Sequence, residues 1–243
     1  MAITPTRGRN DHYVPQIHLR SFSHPGSGQL WIFRIGGRRW RRCGTRKIAS
    51  ARAFYDFSRT VPASVSLDSE FQPVETAFAR SLQRIRKSRG QDWSSDRDTL
   101  LRFAALQSVR TPRFISDAAA AYRRQTDSSQ PPDAERDHAL ALMPIEMQSR
   151  FTRWRSSRWA LGQTRSVADC LITGDSPLFM VRFRDADVLF FPLSWDLCLL
   201  GGSSIPEGEW LDLPRNALAE IRGRVAQESK FFMASPISWG EQA

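Results

Sequence analysis

The spacing of apolar positions changes twice along the chain. From Asp68 to about Trp154, apolar residues recur every three or four positions, which is typical of helices with a buried face. After Ser157 the spacing shortens toward two, which indicates short strands separated by turns. A stretch of strand-forming residues also surrounds the Gly36-Gly37 pair near the amino terminus. The pattern therefore predicts an α+β protein with an N-terminal β-hairpin, a central α-helical group and a C-terminal mainly antiparallel sheet.

The individual elements follow from this spacing and from turn residues. The predicted central helices are Asp68–Arg89, a helix from a Ser95–Asp98 capping box to Val109, Pro112 to about Arg124, and Ala134–Trp154, which Pro144 breaks or kinks. The predicted C-terminal elements are strands Trp159–Gln163, Ala168–Thr173, Leu178–Phe183, Val188–Phe191 and Trp195–Leu200, helix Arg215–Glu228 and strand Lys230–Ala234. No stretch looks like a long linker, so we expect a single domain over residues 1–243.

The predicted hairpin joins Leu30–Ile35 to Arg38–Cys43 through a two-residue Gly-Gly loop. Counting outward from the loop gives the cross-strand pairs Ile35 with Arg38, Phe33 with Trp40, and Trp31 with Arg42. Because side chains alternate along a strand, all six share one face, which is aromatic and edged by arginine. We expect Ala51–Phe57 to add a third strand.

Two interpretations of this hairpin face stay open. Trp31, Trp40, Arg38 and Arg42 could form a nucleic-acid-binding surface, with the rings stacking on bases and the guanidinium groups holding phosphates. Alternatively, the face is an ordinary sheet surface half covered by helices, in which arginine stems lie over tryptophan rings.

A short stretch near the amino terminus, His12-Tyr13-Val14-Pro15-Gln16-Ile17-His18-Leu19-Arg20-Ser21-Phe22, mixes polar groups with large apolar ones. Pro15 favours an extended entry followed by a short helix, which places Gln16 and Arg20 one turn apart on one face. His12 lies just before the helix. It is either an acid/base or phosphate-contacting group, or a cap that together with Arg20 ties down the terminal segment.

Three further polar groups stand out because of their surroundings. Gln107 and Arg110 fall among apolar positions of the helix that ends near Val109, so both should be buried and must find partners. They either hold a structural network or face a site. Asp175 follows the buried-looking segment Cys170–Thr173, which suits catalysis or metal binding, but Asp is equally common as a turn and cap residue before Ser-Pro.

The charge balance favours an anionic partner. The chain has a net charge of +10, and only Lys47, Lys87 and Lys230 are lysines, so arginine carries almost all of it.

Cys43, Cys170 and Cys198 are widely spaced, which disfavours a disulfide framework or zinc site and fits a reducing cytoplasm. The residues Met1–Arg7 show no secretory signal, and no run is long enough for a membrane span. Phosphate-loop, dinucleotide-binding, zincin and nucleophile-elbow motifs are missing, so no nucleotide cofactor is expected.

Several short motifs resemble a known family. Their sequences and their order along the chain resemble those of a bacterial family known as domain of unknown function 4238. The stretches that carry the resemblance are HYVPQ-x-x-L-R-x-F from His12, FYD from Phe54, Q-x-x-R-T-P-x-F from Gln107, I-T-G-D-S-P from Ile172 and F-P-L-S from Phe191. They imply a family-like region of about 12–234. Gly174 departs from the pattern, because the family usually has Ser there. The resemblance implies no activity.

Three functional hypotheses follow. In the first, an enzyme acts on nucleic acid or another phosphate-bearing substrate, as a nuclease or other phosphodiester hydrolase. His12 would move the proton, Arg20 and Arg110 would hold phosphate with Gln16 beside them, and Asp175 would orient His12 or bind a divalent metal, with Gln107 in the same site. In the second, the hairpin binds RNA or single-stranded DNA without catalysis. In the third, the motifs only tie the N-terminus to the core of a structural or partner-binding domain. We rank phosphate or nucleic-acid engagement first.

Overall fold

The structure is a computed structural model that describes residues 10–57, 67–126 and 133–239. Along the chain its strands and helices are β1 (Asn10–His12), α1 (Gln16–Ser21), β2 (Leu30–Arg34), β3 (Arg41–Cys43), β4 (Ser50–Arg52), α2 (Leu67–Lys87), α3 (Ser94–Val109), α4 (Pro112–Gln125), α5 (Ala134–Arg155), β5 (Trp159–Gln163), β6 (Thr173–Gly174), β7 (Phe179–Phe183), β8 (Ala186–Ser194), β9 (Leu197–Gly201), β10 (Trp210–Asp212), α6 (Arg215–Glu228) and β11 (Phe232–Ser235). The predicted α+β class, with N-terminal strands, central helices and a mainly antiparallel C-terminal sheet, is confirmed.

A five-stranded sheet in the order β10-β5-β9-β8-β7 separates two apolar cores. All its neighbouring strands are antiparallel except β10 and β5, which run parallel. Leu200 of β9 packs with α6 and the second sheet, whereas Leu199 packs with α2 and α3. Because both faces are covered at the centre of the sheet, β5 and β9 are continuously apolar, whereas the edge strand β7 alternates between buried and exposed residues. This explains why β5 and β9 are buried along nearly their whole length.

A second sheet has the order β3-β2-β11-β6 and joins the N-terminal hairpin to β11, the last strand of the described residues. β11 pairs with β2 on one side and with β6 on the other, antiparallel in both cases. The predicted third strand of the hairpin is therefore wrong. Residues 50–52 form β4, which pairs with β1, and Ala53 turns the chain away with a φ of 54°. The position beside β2 belongs to β11 instead.

The hairpin itself forms, with a shorter ladder than predicted. Its register pairs Trp31 with Arg42, as expected, but β3 begins only at Arg41, so the pairs nearer the loop are not part of the ladder. Gly36 has a φ of 80°, and a Cβ at Gly37 would lie 2.7 Å from the Arg34 carbonyl oxygen. Both glycines are therefore required by the turn.

Three other local predictions need correction. No capping box opens α3: Trp93 is its N-cap, and the Asp92 carboxylate accepts from the Ser94 backbone N–H at 2.8 Å. Of the predicted strand Ala168–Thr173 only Thr173 lies in a strand, and the first two residues belong to a 3-10 turn at Val167–Asp169, which Ser166 Oγ caps by accepting from Ala168 N–H. Pro144 does not end α5, which continues to Arg155.

Residues 1–9, which bear on a secretory signal, lie outside the described residues. Among the described helices, none is long and apolar enough to cross a membrane.

Candidate functional site

The N-terminal segment is anchored by buried polar contacts. Helix α1 places His18 among the rings of Phe22, Phe78, Phe103 and Phe191, with centroid distances of 5.3 to 6.0 Å. The His18 Nε2 lies 2.8 Å from the Pro192 carbonyl oxygen, and the ring is fully buried. Burial lowers the pKa of His18 to about 4, so the ring is neutral near neutral pH and donates its proton to that carbonyl. Sequence reasoning missed this role, although the spacing of His18 and Phe22 on one helix face was a signal.

Arg110 is the second anchor, and its side chain is 1% exposed. Its Nε donates to the Tyr55 hydroxyl at 2.6 Å, one terminal nitrogen donates to the His12 carbonyl oxygen at 2.7 Å, and the other pairs with the Glu75 carboxylate. The prediction that Arg110 is buried is confirmed. These contacts favour the structural-network interpretation, because the donors that would hold a phosphate are directed at protein acceptors. The assignment of Arg110 to phosphate stays a prediction.

His12, Gln16, Arg20 and Arg110 do come together. They line a polar cavity of about 330 Å³, together with carboxylates from α2. Arg20 donates to the Gln16 amide oxygen at 3.2 Å, as the one-turn spacing predicts. His12 is half-buried, and its Nε2 has no hydrogen-bond partner in the described part of the chain. Burial lowers the pKa of His12, while hydrogen bonds with the backbone at Arg46 and Thr45 act in the opposite direction. The lowered pKa favours the neutral imidazole, whose buried Nε2 is a proton acceptor without a described partner.

Asp175 lies apart from that cavity. Its carboxylate is 1% exposed and accepts the backbone N–H groups of Lys230, Phe231 and Phe232 at 3.0 to 3.2 Å. It therefore holds the segment that leads into β11. The structure shows no hydrogen bond between Asp175 and His12, and no cluster of three metal-ligating side chains occurs among the described residues. The catalytic and metal-binding assignments of Asp175 stay predictions without a supporting contact.

Gln107 faces a different cavity from Arg110, although they lie on the same helix end. That cavity, about 590 Å³, is bounded by α3, α4, α5, α6 and the segment 176–180. Gln107 is 1% exposed, as predicted, but neither its amide oxygen nor its amide nitrogen has a partner in the described structure. Ser176, which sequence reasoning did not single out, lines the same cavity with an unpartnered hydroxyl. Gly174 is explained by packing, because a Cβ there would collide with Ser229 Oγ.

The hairpin carries a concave arginine surface that lines a cavity of about 750 Å³. We call its five arginines the hairpin arginines: Arg34, Arg38, Arg39, Arg41 and Arg42. All five are exposed, and none forms an ion pair with a described acidic residue. Sequence reasoning missed Arg34 and Arg39, which the density of arginine in residues 34–42 could have indicated.

The aromatic residues of the hairpin lie outside that concave surface. Trp31, Phe33 and Trp40 are half-buried and do not line it. The Arg42 guanidinium lies 5.2 Å from the Trp31 ring centroid, and the Phe33 and Trp40 rings are 5.7 Å apart. Because Ile32 and Arg41 pair on the face opposite Trp31 and Arg42, most of the arginine surface and the aromatic face are on different sides. The two features predicted as one surface are thus largely separated.

The described residues define an α+β protein with β-sheets of five, four and two strands, a polar N-terminal cavity and an arginine-lined hairpin. A family model described as "Protein of unknown function (DUF4238)" matches residues 10–212, and the chain belongs to this family. The resemblance drawn from the short motifs is thereby confirmed. The comparisons found no matching curated protein and no matching solved structure.

Proposed function

We propose that this protein binds the phosphodiester backbone of RNA or single-stranded DNA through the hairpin arginines. The observation that carries the proposal is the concentration of five exposed, unpaired guanidinium groups around one concave surface of about 750 Å³. Arginine guanidinium groups bind phosphate oxygens through paired N–H donors, and releasing condensed counterions drives such binding.

Arginines elsewhere on the protein surface differ from the hairpin arginines, because they form ion pairs with carboxylates. Arg165 pairs with Asp212 at 2.9 Å, and Arg215 pairs with Asp169 at 3.3 Å, although their side chains are 76% and 87% exposed. Those guanidinium groups are already compensated by protein carboxylates. No described carboxylate pairs with the hairpin arginines, so a polyanion gains more by binding there.

The separation of the aromatic face narrows the proposed mode of binding. Since Trp31 and Trp40 do not line the arginine surface, phosphates would be contacted there without base stacking. We therefore expect the affinity to depend strongly on salt concentration and only weakly on base sequence.

The test is fluorescence anisotropy with labelled single-stranded RNA and DNA of mixed sequence, over a series of salt concentrations. The double variant Arg38→Gln/Arg41→Gln should weaken binding about tenfold or more. The slope of the logarithm of the binding constant against the logarithm of the salt concentration should become less steep by roughly 1.4, because each of the two lost phosphate contacts contributes ~0.7. The control is Arg165→Gln/Arg215→Gln, which removes the same two charges elsewhere. Equal weakening by both double variants, or binding that salt does not affect, would contradict the proposal.

Cleavage is a second candidate, favoured because His12 and Arg20 line the same polar cavity and His12 Nε2 has no partner among the described residues. A neutral imidazole can remove a proton from an attacking hydroxyl, and a nearby guanidinium can stabilise charge on phosphate. Electrophoresis of the same RNA after incubation with wild type and with His12→Gln distinguishes cleavage from binding alone.

The three free thiols, two of them buried, favour action in the reducing cytoplasm.

A further inference from the structure

The cavity that contains Gln107 has polar groups that the protein leaves unused. Gln107 reaches it from α3 and Ser176 reaches it from the segment before β7, so two stretches far apart in sequence contribute to one site. The amide oxygen, the amide nitrogen and the serine hydroxyl are all buried without a hydrogen-bond partner among described residues. Burying unpaired polar groups costs free energy, so such groups in a folded protein call for an explanation.

The charges around this cavity compensate each other. Its cations and anions are equal in number: Arg113, Arg150 and Arg224 against Asp117, Glu146 and Glu228. Each arginine already has a carboxylate partner, at 2.8 Å from Arg113 to Glu228, 3.7 Å from Arg150 to Glu146 and 3.1 Å from Arg224 to Glu228. A phosphate or carboxylate would find no free cation here. The electrostatics therefore fit an uncharged ligand.

The shape and the walls narrow the ligand further. A cavity of about 590 Å³ falls within the range of small-molecule sites, which is roughly 300–1,000 Å³. Phe114, Leu178 and Phe179 supply apolar wall area, against which a flat ring can lie. The glutamine amide presents an acceptor beside a donor, which matches a ligand edge with a donor beside an acceptor, as in the pairing of glutamine with adenine.

We propose that Gln107 and Ser176 form the polar end of a binding site for an uncharged, planar small molecule whose edge carries a hydrogen-bond donor next to an acceptor. A nucleobase and a primary amide both have this edge. The site is separate from the hairpin arginines, so it stands whether or not the protein binds nucleic acid.

The decisive variant is Gln107→Met, which keeps the length of the side chain and removes its amide. Because the amide has no hydrogen-bond partner among the described residues, this variant should be as stable as wild type or more stable without ligand. The same substitution should weaken ligand binding about tenfold or more, because the ligand edge would then be buried unpaired. Higher stability together with lost binding is the signature of a binding group rather than a structural one.

The experiment measures thermal melting and calorimetric binding of the full chain with adenosine, benzamide and purine riboside. Adenosine or benzamide should raise the melting temperature of wild type, and which of them does so separates the nucleobase from the amide. Purine riboside lacks the amino donor and should bind more weakly than adenosine. Ser176→Ala should also weaken binding, whereas Ser229→Ala, which removes another buried unpartnered hydroxyl away from the cavity, should not.

Three results would overturn the proposal. One is failure of both adenosine and benzamide to bind wild type. Another is binding to Gln107→Met as tight as to wild type. The third is a large loss of stability in ligand-free Gln107→Met, which would show that the amide has structural partners. Unchanged binding by Ser176→Ala would independently remove Ser176 from the proposed site.

Discussion

Arginine occupies two contrasting environments in this protein. Arg110 is buried at 1% exposure and has an acceptor for each part of its guanidinium group, whereas the hairpin arginines are exposed and have no carboxylate partner in the described structure. A buried charge must be paired and hydrogen-bonded to be tolerated, so its environment is set by folding. An exposed charge costs almost nothing unpaired, so its clustering is free to serve binding. The same residue type therefore has a structural role in one region, whereas in the other its exposure supports the proposed binding surface.

The largest expected effect comes from removing the buried arginine. Arg110→Met should destabilise the protein by about 3–5 kcal/mol, because the Glu75 carboxylate and the Tyr55 hydroxyl lose the donor that Arg110 supplies, and the His12 carbonyl oxygen keeps only the Tyr55 hydroxyl as donor. Urea unfolding followed by circular dichroism measures it. The control Arg165→Met, at a side chain that is 76% exposed, should change stability by less than about 0.5 kcal/mol. Equal stability of the two variants would break the contrast.

The next effect is a pH dependence from the same anchored segment. The folded pKa of His18 is about 4 against 6.5 in the unfolded chain, so only the unfolded chain binds a proton there between those values. Stability is therefore complete above pH 6.5 and decreases as the pH falls toward 4, by about 3 kcal/mol at ~1.4 kcal/mol per unit.

Urea unfolding at a series of pH values tests this dependence. The lowered pKa of His12 acts in the same direction, so His18 is isolated by the difference between wild type and His18→Gln. The variant should lose much of the slope between pH 6.5 and 4 and should be less stable at neutral pH. The same slope in both proteins would show that the His18 ring is not buried as a neutral group.

The smallest expected effect is on the stability of the hairpin variant. Arg38→Gln/Arg41→Gln should leave the free energy of unfolding within about 0.5 kcal/mol of wild type, since neither side chain contacts a described carboxylate. The same urea titration measures it. A loss of 2 kcal/mol or more, on the scale of about 0.5–3 kcal/mol for structural positions, would assign the hairpin arginines to folding instead of binding.

The parts of the fold that follow from local pattern were predictable. The bounds of β5 and α6 agree with the spacing of apolar residues, and the burial of Gln107 and Arg110 follows from their apolar neighbours. The partners of these groups were not predictable. Tyr55 and Glu75 reach Arg110 from separate segments, and Asp175 binds backbone N–H groups 55 to 57 residues later in the chain. Local spacing carries no information about such long-range pairing.

The position of β11 has a consequence for the order in which the protein is made. The strand lies between β2 and β6, so the sheet that contains the N-terminal hairpin cannot close until residues 232–235 have left the ribosome. Until then β2 and β6 present open edges and the Asp175 carboxylate has no amide donors. The family match ends at residue 212, before α6 and β11. A segment cut to the matched residues would therefore lack the strand that joins its two halves, and would be expected to associate through those edges.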